Sequence, residues 1–277
     1  MSLSQERKTF LETLCTSLRQ ELIQLLYGIQ TGHPGGSLSA TEIMATLYFE
    51  KLRLDPACPK DPQRDRFILG KGHAAPMLYQ ILARRGFFPA EDLPTLRQLN
   101  SHLQGHPCAR KTCGVELSTG PLGLGLSAGL GMALAGKLDH QDYRVYVLMG
   151  DGELQEGIVW EAAMSAARFD ADNLLVIVDH NGVQLDGTVE EIMPMGDLAA
   201  KWRAFGWNVI SADGHRVDEI SAAIDQAQSV KGKPSVILAK TVKGKGISFM
   251  EGKSAWHGKP ISKDEYVNAM RELGGEA

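Results

Sequence analysis

The stretch that decides the fold is residues 143–187, which opens with YRVYVLMGDGELQEG (143–157) and closes with LLVIVDHNGVQLDG (174–187). Two apolar runs, Tyr143–Met149 and Leu174–Asp179, have the character of buried strands, and the residues between them are compatible with a helix. Each run ends in a glycine-bearing turn, first GDG and then HNG. This pattern predicts a strand–helix–strand crossover between two parallel strands.

Asp151 and Asn181 follow these two strands and stand about thirty residues apart. Ligands of open α/β sheets bind outside the carboxyl ends of the strands, so we expect both side chains to point into one crevice. A carboxylate, an amide oxygen and a backbone carbonyl, here that of Val183, suit Mg²⁺, with Ca²⁺ or Mn²⁺ as substitutes. Gly150 and Gly152 would let the backbone approach a phosphate. The alternative interpretation is a pair of tight turns without a ligand.

Helix-like and strand-like segments alternate along the rest of the chain. Strands are predicted at 66–69, 207–211 and 234–241, in addition to the two above. Helices are predicted at 5–29, 39–52, 73–86, 90–99, 124–138, 157–169, 197–205, 217–229 and 262–273, with a break at 32–36. The alternation predicts an α/β fold: a single doubly wound, mostly parallel sheet with helices on both faces, formed by one domain over residues 1–277.

A GDG turn followed by NG after the next strand resembles the signature of thiamine-diphosphate enzymes. The wider sequence resembles transketolases, in particular their N-terminal diphosphate-binding (PP) domain, from about residue 10 to 260. The matching segments are GHPGG (32–36), DRFIL (65–69), KGHA (71–74), GHP (105–107), STGPLG (118–123) and WHG (256–258). The resemblance implies a thiamine-diphosphate-binding fold that holds the cofactor together with Mg²⁺.

The resemblance also implies roles for single residues. It places His73 against the cofactor diphosphate, and gives His33, His106 and His257 the substrate carbonyl and hydroxyls. The other implied cofactor contacts are Gly120, Pro121, Leu122, Gly150, Asp151, Gly152, Glu156, Asn181 and His257. Glu156 is also implied as a catalytic residue, at a subunit contact where it couples to a glutamate of the partner domain. His140 and His215 match no motif and are expected at the surface.

The function implied by the resemblance is two-carbon ketol transfer from a ketose to an aldose. We expect this chain to be the N-terminal subunit of a split transketolase, inactive without a C-terminal subunit that carries the pyrimidine-binding (Pyr) domain. The expected assembly is an α₂β₂ complex or a homodimer of this chain, and the expected substrates are phosphorylated sugars. Two alternatives are the α subunit of a 2-oxo-acid dehydrogenase and a non-catalytic PP-domain regulator.

Net charge and apolar stretches bear on whether the protein binds nucleic acid or a membrane. A net charge of −4 gives no global basic signal for nucleic acid. The N-terminus lacks the apolar segment of a signal peptide, and the longest apolar stretch, 121–136, is short and glycine-rich for a membrane span. We therefore expect a cytoplasmic protein that binds neither nucleic acid nor a membrane.

The four cysteines form no CxxC pair. His102, His106, Cys108 and Cys113 offer a possible zinc-ligand set, but their spacing is not a common structural pattern. His106 has the competing task that the GHP motif implies. Zinc is therefore the less favoured interpretation of this cluster.

Overall fold

The computed structural model describes residues 3–276, so Met1, Ser2 and Ala277, which the predicted domain includes, lie outside the described residues. Within them the chain forms a five-stranded sheet in the order β1-β2-β3-β5-β4, and every neighbouring pair is parallel. The strands are β1 (Arg66–Leu69), β2 (Val145–Gly150), β3 (Leu174–His180), β4 (Asn208–Asp213) and β5 (Ser235–Lys240). The predicted strands are confirmed to within three residues at each end.

The α-helices alternate with these strands. They are α1 (Gln5–Ile29), α2 (Pro34–Ser39), α3 (Thr41–Thr46), α4 (Ala75–Arg85), α5 (Leu124–Leu138), α6 (Gly157–Arg168), α7 (Val189–Ile192), α8 (Leu198–Ala204), α9 (Val217–Ser229) and α10 (Lys263–Glu272). Short 3₁₀ helices lie at Gly72–Ala74, Ala90–Thr95, Gly152–Gln155 and Ser254–His257, and a π turn at Leu47–Lys51. Among the described residues, no helix combines the length and the apolar character needed to cross a membrane.

The sheet is covered on both faces, as predicted. Along β2, Val145, Val147 and Met149 point into one apolar core, which α5, α6 and α8 cover. Tyr146 and Leu148 point into the opposite core, which α1, α4 and α9 cover. Strands buried on both faces read as continuous apolar runs, which explains why β2 and β3 were recognisable in the sequence.

The register of β2 and β3 positions the site. Gly150 pairs with Asp179, so the GDG turn and the HNG turn leave the sheet side by side. The backbone N–H of Asp151 donates to the carbonyl of Asp179 across this gap at 3.3 Å. The two turns predicted to meet at one edge therefore do meet there.

Two local predictions were wrong, and one helix was missed. The break expected at 32–36 is short, because α2 begins at Pro34, where proline needs no backbone hydrogen bond. The helix expected at 90–99 is a 3₁₀ helix, Ala90–Thr95, with Pro94 inside it. Helix α7 was missed, although Thr188 and Glu191 form a capping box in front of it, a signal visible in the sequence.

Candidate functional site

A cavity of about 370 Å³ opens at the carboxyl edge of β2 and β3. It collects the predicted site residues His33, His73, His106, Gly120, Leu122, Gly150, Asp151, Gly152, Glu156, Asn181, Val183 and His257. Pro121 is exposed and lies outside this lining. Residues that stand up to 224 positions apart in the sequence thus share one crevice at the predicted edge.

Asp151 lies at the base of the cavity and is 2% exposed. Its carboxylate accepts the N–H of Gly152 at 2.9 Å and that of Gly182 at 2.5 Å, which ties the two turns together. Burial raises the pKa of Asp151, the Gly182 N–H lowers it, and the nearby Asp179 carboxylate raises it again. A bound cation would stabilise the ionised form of this buried carboxylate, which burial disfavours.

Asn181 and Val183 line the same cavity as Asp151 and offer two further oxygens. The side-chain oxygen of Asn181 accepts the N–H of Val183 at 3.0 Å, and the Val183 carbonyl accepts the ammonium of Lys243 at 3.3 Å. Each oxygen keeps a second lone pair. A carboxylate, an amide oxygen and a carbonyl are hard donors, so this set fits Mg²⁺ chemically.

Four histidines cluster in the same cavity. The ring centroids of His33 lie 5.4, 5.6 and 6.1 Å from those of His257, His73 and His106, and His73 lies 4.7 Å from His257. Burial is the largest cause that lowers their pKa values, to about 4 for His33 and about 3 for His257, and well below the usual value for His73. Neighbouring cations lower the pKa values further, and this favours the neutral form of the rings.

Lys243 is a site residue that the sequence analysis missed. It is 2% exposed, and its ammonium donates to Nδ1 of His257 at 3.0 Å and to the carbonyls of Val183 and Gln184. Burial lowers its pKa to about 8, with a further contribution from Lys71. Because an ammonium only donates, Nδ1 of His257 must accept, which leaves the proton of the neutral ring on Nε2.

Lys71 and Asp179 form an ion pair under the cavity, with 2% and 0% of the side chains exposed. The Lys71 ammonium also donates to the Gly36 carbonyl at 2.8 Å, and the Asp179 carboxylate accepts the hydroxyls of Ser39 at 2.6 Å and of Thr241. Burial would raise the pKa of Asp179, but Lys71 and the two hydroxyls bring it below its usual value. Lys71 lies within the quoted KGHA segment, yet that motif alone gave it no role.

Glu153 closes the wall between the GDG turn and α5. Its buried carboxylate accepts the N–H of Gly123 at 2.9 Å and of Gly150 at 3.1 Å, while burial raises its pKa to about 7. The Gly123 N–H is therefore already engaged by a side chain. Glu156 follows as the exposed N-cap of α6 and lies at the rim of the cavity, near the helix end that favours negative charge.

His215, expected at the surface, is instead 14% exposed and hydrogen-bonded at both nitrogens. Nε2 accepts the N–H of Val242 at 2.8 Å, and Nδ1 donates to Glu42 at 3.0 Å. Glu42 also pairs with Arg19 in the interior. A lone histidine in the sequence carries no signal of such a network. His140 is exposed, as expected.

The two histidines proposed as zinc ligands have other surroundings. His102 contacts the Asp92 carboxylate at 3.1 Å and packs edge-on against Phe88, while His106 lines the cavity. Within residues 3–276, no three His, Cys, Asp or Glu side chains are grouped to hold a metal ion. The zinc interpretation therefore has no support in the geometry.

The chain is similar in sequence to one family of known proteins. The family described as transketolase, thiamine diphosphate binding domain, matches residues 13–277. The 6-deoxy-6-sulfo-D-fructose transketolase subunit SqwG of Clostridium sp. (strain MSTE9) is 45% identical over 271 residues, 98% of each chain. An apulose-4-phosphate transketolase subunit from Phocaeicola vulgatus is 41% identical over 92% of this chain and 90% of its own.

The same fold occurs in a larger solved protein. The crystal structure of transketolase from Campylobacter jejuni superposes with a TM-score of 0.91 at 33% identity. The match covers 97% of this chain but 43% of that chain. The present chain therefore spans less than half the length of that transketolase, and about the full length of the two relatives that are named as subunits.

Proposed function

Because this chain belongs to the transketolase family, we propose that it is the N-terminal subunit of a split transketolase. It would act with a separate Pyr-domain subunit to transfer a two-carbon ketol unit from a ketose to an aldose. The observation that carries this proposal is the cavity at the β2–β3 edge, which combines Asp151 and Asn181 with four histidines. In this proposal residues 1–277 form one PP-type domain.

The cofactor side of the cavity is the part nearest the two turns. The oxygens of Asp151, Asn181 and Val183 would hold Mg²⁺, or Ca²⁺ or Mn²⁺ in its place. Bound thiamine diphosphate would supply the carbon nucleophile that carries the two-carbon unit. His73, Gly120, Pro121, Leu122, Gly150, Gly152, Glu156 and His257 would bind the cofactor. The fit rests on the oxygen donor set and on the raised pKa of the buried Asp151 carboxylate.

The substrate side of the cavity is formed by His33, His106 and His257. A neutral imidazole both donates and accepts hydrogen bonds, so it can bind sugar hydroxyls and exchange a proton with them near neutral pH. Their lowered pKa values favour this neutral form. These three histidines would orient the ketose and move its hydroxyl protons, and Glu156 would act from the subunit contact.

The partner would cover the apolar surface that flanks the cavity. Leu124, Leu185, Ile192 and Met193 are between 43% and 60% exposed there. Exposed apolar side chains of this size are typical of interaction surfaces. Two copies of this chain with two Pyr-domain subunits would give an α₂β₂ assembly of closed symmetry, and the chain alone would form a homodimer.

The substrate class follows from the relatives. One is named for a sulfonated ketose and one for a sugar phosphate. We propose that this enzyme also takes a sugar with a terminal anion, whose contacts lie on the partner. A cytoplasmic location remains a prediction from the sequence.

The test is a donor assay of the chain co-purified with its Pyr-domain subunit, in the presence of thiamine diphosphate and Mg²⁺. Fructose 6-phosphate, 6-deoxy-6-sulfofructose and pyruvate would be compared as donors, with an aldose acceptor. Two-carbon transfer from a ketose supports the proposal. Decarboxylation of pyruvate alone would indicate a 2-oxo-acid dehydrogenase subunit, and cofactor binding without turnover of any donor would indicate a regulator.

A further inference from the structure

Arg97 joins the cavity to a neighbouring groove between α1 and α4. Its Nη1 donates to the hydroxyl of Thr31 at 3.1 Å, and its Nη2 lies 3.2 Å from Nδ1 of His33. A guanidinium carries only donors and stays protonated, so Nδ1 must accept this hydrogen bond. The proton of the neutral His33 ring must then reside on Nε2.

We propose that Arg97 is a positioning residue that holds His33 in the neutral Nε2–H tautomer. Given the proposed function, this tautomer makes His33 a hydrogen-bond donor to the sugar. His33 lines the cavity together with His257 and His106, so its ring lies on the substrate side.

The backbone at Arg97 has an unusual conformation. Arg97 has φ of +66°, a left-handed conformation that non-glycine residues seldom adopt, and its N–H donates to the Leu103 carbonyl at 2.9 Å. A Cβ at Gly105 would lie 3.2 Å from Nε of Arg97 and 3.4 Å from Cζ. The glycine of the GHP motif therefore leaves room for the arginine head group.

The charged groups around His33 also favour its neutral form. The titratable and charged groups that face His33 are Arg97, His106, Lys243, His73 and His257. After burial, the Arg97 charge is the next largest cause that lowers the pKa of His33, and it also lowers that of His106. Arg97 thus keeps His33 neutral as well as oriented, as Lys243 does for His257.

The test is ¹⁵N NMR of the histidines in the ligand-free, full-length chain, because imidazole nitrogen shifts distinguish the tautomers. His33→Ala assigns the signal. We expect wild-type His33 to show the Nε2–H tautomer with a pKa well below 6.5. In Arg97→Met the tautomers should mix and the pKa should rise toward 6.5, whereas Arg97→Lys, which still donates, should preserve the wild-type signature.

Arg84→Met is the matched control, because Arg84 lines the same groove but pairs with Glu21. An unchanged His33 tautomer and pKa in Arg97→Met, or an equal change in Arg84→Met, would overturn the inference. In the assembled enzyme, kcat/KM for the ketose should fall about 10–100-fold in Arg97→Met and recover in part in Arg97→Lys. A complex that transfers no ketol unit would refute the proposed function, while the NMR result would still decide the role of Arg97.

Discussion

Replacing Asp179 by Asn tests how the floor of the cavity is stabilised. The change removes the negative charge and leaves one acceptor oxygen, so only one of the Ser39 and Thr241 hydroxyls, which now donate to separate carboxylate oxygens, keeps its acceptor. It leaves the ammonium of Lys71 with 2% exposure and no counter-charge at its present partner. Loss of one member of a buried ion pair costs about 3–5 kcal/mol of unfolding free energy, because a buried charge remains uncompensated.

The expected change in Tm is this loss of free energy divided by the unfolding entropy of the chain. An unfolding entropy of about 2.1 cal/mol/K per residue gives about 0.58 kcal/mol/K for the whole protein. The expected loss in Tm is therefore about 5–9 °C, measured by calorimetry on the ligand-free chain. Because the pKa of Asp179 is lowered in the folded protein, its ionised carboxylate contributes to stability at neutral pH. This contribution is lost as the pH falls through that pKa.

Asp142→Asn is the control, since Asp142 pairs with Arg53 at 3.0 Å but is 80% exposed. Exposed pairs contribute less than about 1 kcal/mol, so its Tm should change by at most about 2 °C. Adding Lys71→Met to Asp179→Asn should restore part of the loss by removing the unpaired ammonium. Equal Tm values for the Asp179 and Asp142 variants would refute this reasoning.

Three further predictions concern the cavity. Asp151→Ala should abolish tight, Mg²⁺-dependent cofactor binding in the assembled enzyme by calorimetric titration, and an unchanged affinity would rule out the metal assignment. Single Ala variants of His33, His106 and His257 should lose about 10²–10⁴-fold in kcat yet keep Tm within a few degrees; full activity in all three would refute their substrate roles. His215→Ala should weaken cofactor affinity, because the N–H of Val242, next to Lys243, loses its hydrogen-bond acceptor. A lower Tm with unchanged cofactor affinity would show that this network serves the fold alone.

The sequence predicted the sheet and its functional edge because these depend on local patterns. Strands such as β3 are buried on both faces and read as unbroken apolar runs, and turns at their ends carry glycine beside Asp151 or Asn181. Lys243 could not be found in this way. It lies in a Lys- and Gly-rich segment typical of exposed loops, and its burial comes from tertiary contacts, with Val183 and Gln184 about sixty positions away and with His257.

His215 shows the same limit. Its two hydrogen-bond partners, Glu42 and Val242, are distant in sequence, so its burial is a property of the tertiary structure. The helix expected at 90–99 failed for a local reason, because Pro94 disfavours a continued α-helix. Arg97, just after it, then turns toward His33 through a left-handed backbone that no periodicity predicts.

The measurement that tests the central claim most directly is two-carbon transfer by this chain with and without its Pyr-domain subunit. A ketose donor, an aldose acceptor, thiamine diphosphate and Mg²⁺ would be present in both reactions. We predict transfer in the mixture and none above background with the chain alone, and the mixture with Asp151→Ala should be inactive. Substantial transfer by the isolated chain, with no second polypeptide present, would contradict the split-subunit account.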